Sequence, residues 1–266
     1  MGRRWWHPKS DFGQTALFVL LLGLGAWGIL IGAQAMPYRW QWHRVLPYLY
    51  KAYEGEIYLG PLPKGLGVTL VISAQGFLVA LAAGLLAALL MLSNSAVGRT
   101  LSRCYVELIR NTPLLVQLYL FYFVLSPILG IGRQATGVLA LGLFEGAFAA
   151  EIMRAGILAV PRGQTEAALS LGMKPWQVTF RVVLPQAVRI VLPPLTSLSI
   201  SLVKHSAIVS AIAIFDLTNE GRNAIADTYM TFEIWLTVAA MYLVVTTSMS
   251  QLARLLETRL ALSRTT

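Results

Sequence analysis

Residues 166–185 read EAALSLGMKPWQVTFRVVLP, a polar stretch set between long apolar runs. Glu166 to Leu171 are compatible with a helix, and Gly172 suits the positive-φ position that ends one. Pro175 stands where the first turn of a new helix accepts it. A second helix carries Trp176, Val178, Phe180, Val182 and Val183 until Leu184–Pro185 stops it. Two short helices joined at a glycine make a rigid knob, which a membrane protein needs if it is to push on a partner outside the bilayer. The same residues also fit an amphipathic helix lying on the membrane surface.

The flanking composition is that of an integral membrane protein. Of 266 residues, 56% are apolar and 12% charged, and mean hydropathy is +0.65. Six runs, roughly 15–35, 66–92, 106–128, 135–158, 190–214 and 232–254, are long enough to cross a hydrocarbon layer of ~30 Å as helices. Long unbroken runs favour helices over the short alternating strands of a barrel. The fold class expected is an all-α membrane protein with about six transmembrane helices.

The formal charge of +9 follows topology, not a nucleic-acid partner. Arg3, Arg4 and Lys9 precede the first span, and Arg99 and Arg103 lie between spans two and three. Arg162, Lys174, Arg181 and Arg189 flank or occupy the knob, and Arg254, Arg259 and Arg264 follow the last span. The segment between spans five and six instead carries Asp216, Glu220 and Asp227 against Arg222. The positive-inside rule then puts both termini and the knob in the cytoplasm. The first outer loop is uninformative, with Arg39, Arg44, Lys51 and Lys64 beside Glu54 and Glu56. Its aromatic residues read as an interfacial belt, with a short helix expected from Trp42 to Tyr53.

Cys104 is the lone cysteine, and His7, His43 and His205 are too scattered for a metal-ligand set. The run nearest to a phosphate-binding loop, Gly60 to Leu66, lacks the terminal lysine and hydroxyl. ATP hydrolysis, if needed, must come from another chain. The first span imitates a signal peptide, with Arg3–Arg4, an apolar run and Ala33-Gln34-Ala35. Its length and the small faces of Gly28 and Gly32 favour a retained packing helix, and cleavage would leave the remaining orientation unchanged.

Glu166, Ala167, Ala168, Gly172, Val182, Leu184 and Pro185 also match, gap for gap, the EAA coupling loop of ABC-importer permeases. Glu107-Leu-Ile-Arg-Asn-Thr-Pro-Leu-Leu-Val-Gln117, Ala150-Glu-Ile-Met-Arg-Ala-Gly-Ile157, Val160-Pro-Arg-Gly-Gln164, Leu184-Pro-Gln-Ala187 and Leu192-Pro-Pro-Leu-Thr196 narrow the likeness. Over residues 65 to 255 the chain resembles the polar amino-acid branch of that family. The resemblance implies a type I importer bundle in a bacterial inner membrane and an identical or sister permease chain. It also implies ABC ATPase subunits holding ATP and Mg, an extracytoplasmic substrate-binding protein and an amino-acid substrate. No cofactor is expected in this chain. The organisation expected is a tail, first helix and outer loop over 1–64, a permease core over 65–258 with its coupling loop at 159–188, and a tail at 259–266. The family usually has an Asp or Asn after the fifth-span lysine, whereas here Lys204 is followed by His205.

Charges at membrane depth complete the candidate residues. Glu107 with Arg110 and Glu151 with Arg154 are spaced i, i+3, placing each pair on one helix face near the cytoplasmic side. Cross-pairing between the two helices would make either a gate that rearranges with ATP or a static clamp. Glu145 is ~18 Å and Lys204 ~21 Å from that side at the helical rise, with His205 adjacent. They read equally as a polar site on the translocation path or as an ion pair that fixes packing. The alternative function is an ion-gradient-driven secondary transporter using Glu145, His205 and Lys204 as a proton relay. An enzyme has no nucleophile–base pair or metal spacing in its favour.

Overall fold

The computed structural model describes residues 9–35, 38–53 and 55–262. Arg3, Arg4, His7, Glu54 and Arg264 lie outside them. Two units are distinguished, Met1–Gln41 and Trp42–Thr266. The first holds helix α1, Lys9–Ala35, whose apolar window Gly13–Ala33 is long enough to span. The boundary by packing thus falls before Trp42, ahead of the outer loop.

That loop is not the helix expected over Trp42 to Tyr53. A 3-10 turn, Trp42–Arg44, leads to one turn of helix, α2 (Leu46–Leu49), and then to two antiparallel strands. In β1 (Tyr50–Tyr53) and β2 (Glu56–Leu59), Tyr50 faces Leu59 and Tyr53 faces Glu56. Tyr50, Tyr53, Ile57 and Tyr58 favour extended backbone, and Gly55 at φ +85° supplies the turn. The hairpin returns so closely that a Cβ on Gly60 would lie 2.3 Å from the Tyr48 carbonyl oxygen.

Helix α3 (Pro61–Leu92) follows, then α4 (Ala96–Arg110), whose N-terminus is capped by Ser95 Oγ accepting from the Gly98 N–H at 3.1 Å. The third span does not run on from Glu107 as expected. At Asn111–Pro113 the axis bends by 110°, because Pro113 has no N–H and disfavours helical backbone at Thr112. The buried Gln117 side chain holds this elbow, donating to Ile109 O at 2.8 Å and Thr112 O at 3.1 Å. Glu107 and Arg110 therefore belong to an amphipathic helix, and the apolar stretch resumes in a new direction at α5 (Leu114–Leu120). A π-helical turn, Phe121–Leu125, joins α5 to α6 (Ser126–Leu129).

Next come α7 (Arg133–Leu158), α8 (Arg162–Ser170) and α9 (Pro175–Val178). The helix expected to stop at Leu184–Pro185 instead continues through a π-turn, Thr179–Val183, into α10 (Leu184–His205) and a 3-10 segment, Ser206–Ile212. Pro127 and Pro185 each follow a π-turn centred four residues earlier, at Phe123 and Arg181. The wider turn spares the N–H that proline lacks and moves aside the carbonyl its ring would strike. Pro193 and Pro194 lie inside α10 and do not break it. Helices α11 (Leu217–Thr228) and α12 (Thr231–Leu262) end the chain. The observed fold is the expected all-α membrane bundle: five described helices can span, or six if the bent α4–α6 stretch is one span.

Helices α3 and α7 form its axis, and small residues let them touch. On α3 Gly76, Ala80, Gly84 and Ala88 recur every four residues, as Gly142, Gly146 and Ala150 do on α7. A Cβ on Gly84 would sit 2.6 Å from Ala149 Cβ, and one on Gly142 2.5 Å from Val79 Cβ. In lipid, where apolar burial does not drive helices together, such close backbone approach is what association rests on. Ile72, Leu118, Leu141, Val209 and Ile212 close one core against this axis. Leu62, Leu217, Met230 and Ile234 close another at the α11 end. There Asp216 caps α11 through the Asn219 N–H at 2.9 Å, and Leu217 N–H donates to Thr69 Oγ1 on α3 at 3.1 Å.

Candidate functional site

The knob is built around a left-handed glycine. Gly172 stands at φ +78° just past α8. Its N–H donates to Leu169 O at 2.9 Å and that of Met173 to Ala168 O at 3.2 Å, the paired bonds of a Schellman ending. Pro175 opens α9, and Gln177 Oε1 accepts from the Lys174 N–H at 2.8 Å. Ala168 and Val178 are buried where the two helices meet, whereas Glu166, Ala167, Leu184 and Pro185 are exposed. Leu169, Leu171, Trp176 and Phe180 also project outward, with Leu171 84% exposed. These four apolar side chains crowd the outside of a short stalk.

From Pro175 to Ile212 the backbone is a single helical run of 38 residues. Its far end is fastened by two arginines. Arg222 Nη2 donates to Ser210 O at 2.7 Å, which also accepts from the Ala213 N–H, and Arg133 Nη1 donates to Ala213 O at 3.0 Å.

His205 stands on this run, thirty residues beyond Pro175 and ~45 Å from it at the helical rise. Its Nδ1 lies 2.5 Å from Glu145 Oε1, at the middle of α7, and its ring meets Phe144 edge-on. The structure thus pairs Glu145 with His205. Lys204, expected opposite Glu145, is exposed on another face of α10. Residues one apart on a helix point ~100° apart, so equal depth did not mean equal direction. Glu145 and His205 close one end of a groove of about 310 Å³ between α7 and α10. Ser197 and Ser201 supply hydroxyls to it, and Phe148, Ile152, Pro194 and Leu198 supply apolar wall. Pro194, Ser197, Ser201 and His205 share one helical face at spacings of three, four and four, a polar stripe legible in the sequence and overlooked there.

The other four predicted charges gather around a second recess, of about 490 Å³, with Arg103. The expected pairing across α4 and α7 is not what forms. Glu151 binds Arg154 on its own helix at 3.1 Å, and Glu107 Oε2 accepts from Asn111 Nδ2 at 3.0 Å. Arg110 lies 5.4 Å above the Phe148 ring. No group of three or more potential metal ligands occurs among the described residues.

The knob continues without a break into the helix that lines the polar groove. A family model described as the inner membrane component of binding-protein-dependent transport systems matches residues 80–262. The chain belongs to this family. It is 34% identical over 202 residues to the glutamine transport system permease protein GlnP of Escherichia coli K12, covering 75% of this chain and 92% of that one. With the probable glutamine ABC transporter permease protein GlnM of Bacillus subtilis it shares 42% identity over 163 residues, 60% of this chain and 74% of the relative. It is also similar to a chain in the crystal structure of an amino acid ABC transporter with histidines. That likeness has a TM-score of 0.71 and 39% identity over 75% of this chain and 94% of the other. As an inner-membrane transport component of a binding-protein-dependent system, the chain is a permease subunit. This sets aside the stand-alone ion-gradient transporter.

Proposed function

We propose that this chain is the permease subunit of an ATP-driven importer of amino acids with polar side chains. The observation that carries the reading is the continuity of the knob with the helix that bears His205. Leu169, Leu171, Trp176 and Phe180 seat in a groove of an ABC ATPase subunit, which binds ATP and Mg²⁺. Gly172 makes the turn that presents them, Ala167 and Ala168 allow close approach, and Glu166 bonds at the rim. Leu184 and Pro185 carry the knob into α10, so ATPase closure shifts the groove between α7 and α10.

A charge facing lipid at this depth is expensive. The face of α10 that exposes Lys204 is therefore turned to a second permease, identical or sister, and to a water-filled path between the two. An extracytoplasmic binding protein delivers the amino acid at the α11 end. Both termini and the knob lie in the cytoplasm. The recess lined by Glu107, Arg110, Glu151 and Arg154 lies at the cytoplasmic ends of α4 and α7. The relatives named as glutamine permeases and the amino-acid transporter structure support the substrate class.

The test is Gly172→Val in the complete importer reconstituted in proteoliposomes. A β-branched residue in left-handed backbone is strained, so the knob should be misdirected. The expected result is continued ATP hydrolysis with loss of amino-acid uptake. Uptake at the wild-type rate would reject the coupling role of this loop.

A further inference from the structure

The polar end of the groove is already occupied from within. Glu145 lies at the centre of α7, 12 residues from Arg133 and 13 from Leu158, and its side chain is 4% exposed. A carboxylate at that depth must be neutralised by a proton or a partner. Here the partner is tethered: the His205 imidazole sits 2.5 Å away, braced edge-on by Phe144, and is itself 43% exposed on the groove side. An ammonium or guanidinium entering the groove would have to displace this imidazole to reach Glu145. A tethered group competes at an effective concentration of ~mM or more, far above that of a scarce solute. Arg110, over the Phe148 wall, adds a positive charge near the same groove.

A side-chain amide meets no such obstacle. It both donates and accepts hydrogen bonds, and the Ser197 and Ser201 hydroxyls can serve both roles with the Glu145 pair intact. A volume of about 310 Å³ is at the small end of the ~300–1,000 Å³ typical of ligand sites, and suits a single amino acid.

We infer that His205 is a specificity residue: by occupying Glu145 it sets the groove for amino acids with uncharged polar side chains and shuts out those with cationic ones. The inference rests on the groove being part of the path, as proposed above.

The binding protein imposes its own selection, so the test measures binding to the purified permease–ATPase complex in nanodiscs without it. Radiolabelled glutamine and arginine are the probes. Wild type should prefer glutamine by about tenfold or more, that is roughly 1.4 kcal/mol or more. His205→Asn and, independently, His205→Gln keep a polar group but remove the imidazole that occupies Glu145. Each should gain about tenfold in arginine affinity with little change for glutamine. Adding Glu145→Gln to His205→Asn should abolish the gain. A purely structural role for His205 would lower both probes together. An unchanged arginine-to-glutamine ratio in both variants, a wild type that binds arginine as tightly as glutamine, or no binding of either probe to any variant would overturn the inference. ATP-driven uptake of an amino-acid mixture by the complete importer separates the two levels. If uptake persists, only the assignment of His205 falls; if no amino acid enters, the importer reading falls with it.

Discussion

Helix α7 carries two glutamates six residues apart, and they have opposite fates. Glu145 is 4% exposed and reaches across to His205 on α10, whereas Glu151 is 32% exposed and turns back to Arg154 one turn along its own helix. The first contact joins two elements and replaces hydration that the site does not offer. The second joins a helix to itself at its wetter end. A charge pair is worth what its surroundings withhold from each partner, so the two should respond very differently to the same deletion.

The largest contrast is expected from His205→Leu. Removing the partner leaves the buried Glu145 carboxyl uncompensated, and because His205 is itself 43% exposed the cost should fall below the ~3–5 kcal/mol of a fully buried pair. The purified protein should melt well below wild type in detergent. Glu145→Leu made together with His205→Leu should recover most of the loss, since no charge is then stranded. A single variant as stable as wild type would mean that water reaches Glu145 freely.

A third carboxylate sharpens the comparison, because Asp216 is fully buried like Glu145 but has no histidine. Burial pushes its pKa up to about 6 from 3.8, against the opposing pull of the Asn219 N–H and Arg222. A raised acid pKa favours the folded state at low pH. That contribution is fully present below about 4 and is lost as pH rises through about 6, on the order of 2–3 kcal/mol in all. Asp216→Asn keeps an N-cap of similar quality and removes the titration. Wild type should therefore melt higher at about pH 5 than at about pH 8, and the variant should show a clearly smaller difference. Equal pH dependence in the two proteins would count against Asp216 as its source.

The contrast between the glutamates also depends on the axis that sets their directions. Gly84→Val would drive a side chain into Ala149 of α7, where a Cβ alone already lies 2.6 Å from the Ala149 Cβ. Overpacking of this kind costs about 1–3 kcal/mol. The α3–α7 contact should loosen and the melting temperature fall, whereas Gly67→Val, with open space around it, should cost much less. Equal losses from the two would point to helix propensity and not to packing.

How far these features could be read from the chain depends on the kind of information each needs. Apolar runs and the Gly172 turn are local, and they appear where composition and backbone preference put them. The supposed stop at Leu184–Pro185 failed because a π-turn absorbed the proline, and the third span failed because Pro113 bends what hydropathy joins. The i, i+3 spacing of Glu151 and Arg154 is enough to pair them. The partner of Glu145 is not legible that way, because depth along a helix says nothing of direction around it, and one residue of rotation separates Lys204 from His205. The small-residue stripes on α3 and α7 are indistinct in the sequence because glycine and alanine are abundant throughout these helices.

The smallest effect belongs to Glu151→Gln. Its pair with Arg154 is partly solvated and intrahelical, a class worth about 0.3–0.5 kcal/mol, so the melting temperature should barely move. Any influence on transport would then come from charge in the recess shared with Glu107, Arg110 and Arg103. Salt separates these possibilities, since screening at high ionic strength weakens an exposed pair and leaves a buried one largely alone. Raising salt should bring wild type toward Glu151→Gln in stability and leave the gap between wild type and His205→Leu nearly unchanged. If the second gap closes with salt as well, Glu145 and His205 stand in water as Glu151 does, and the distinction between the two glutamates is lost.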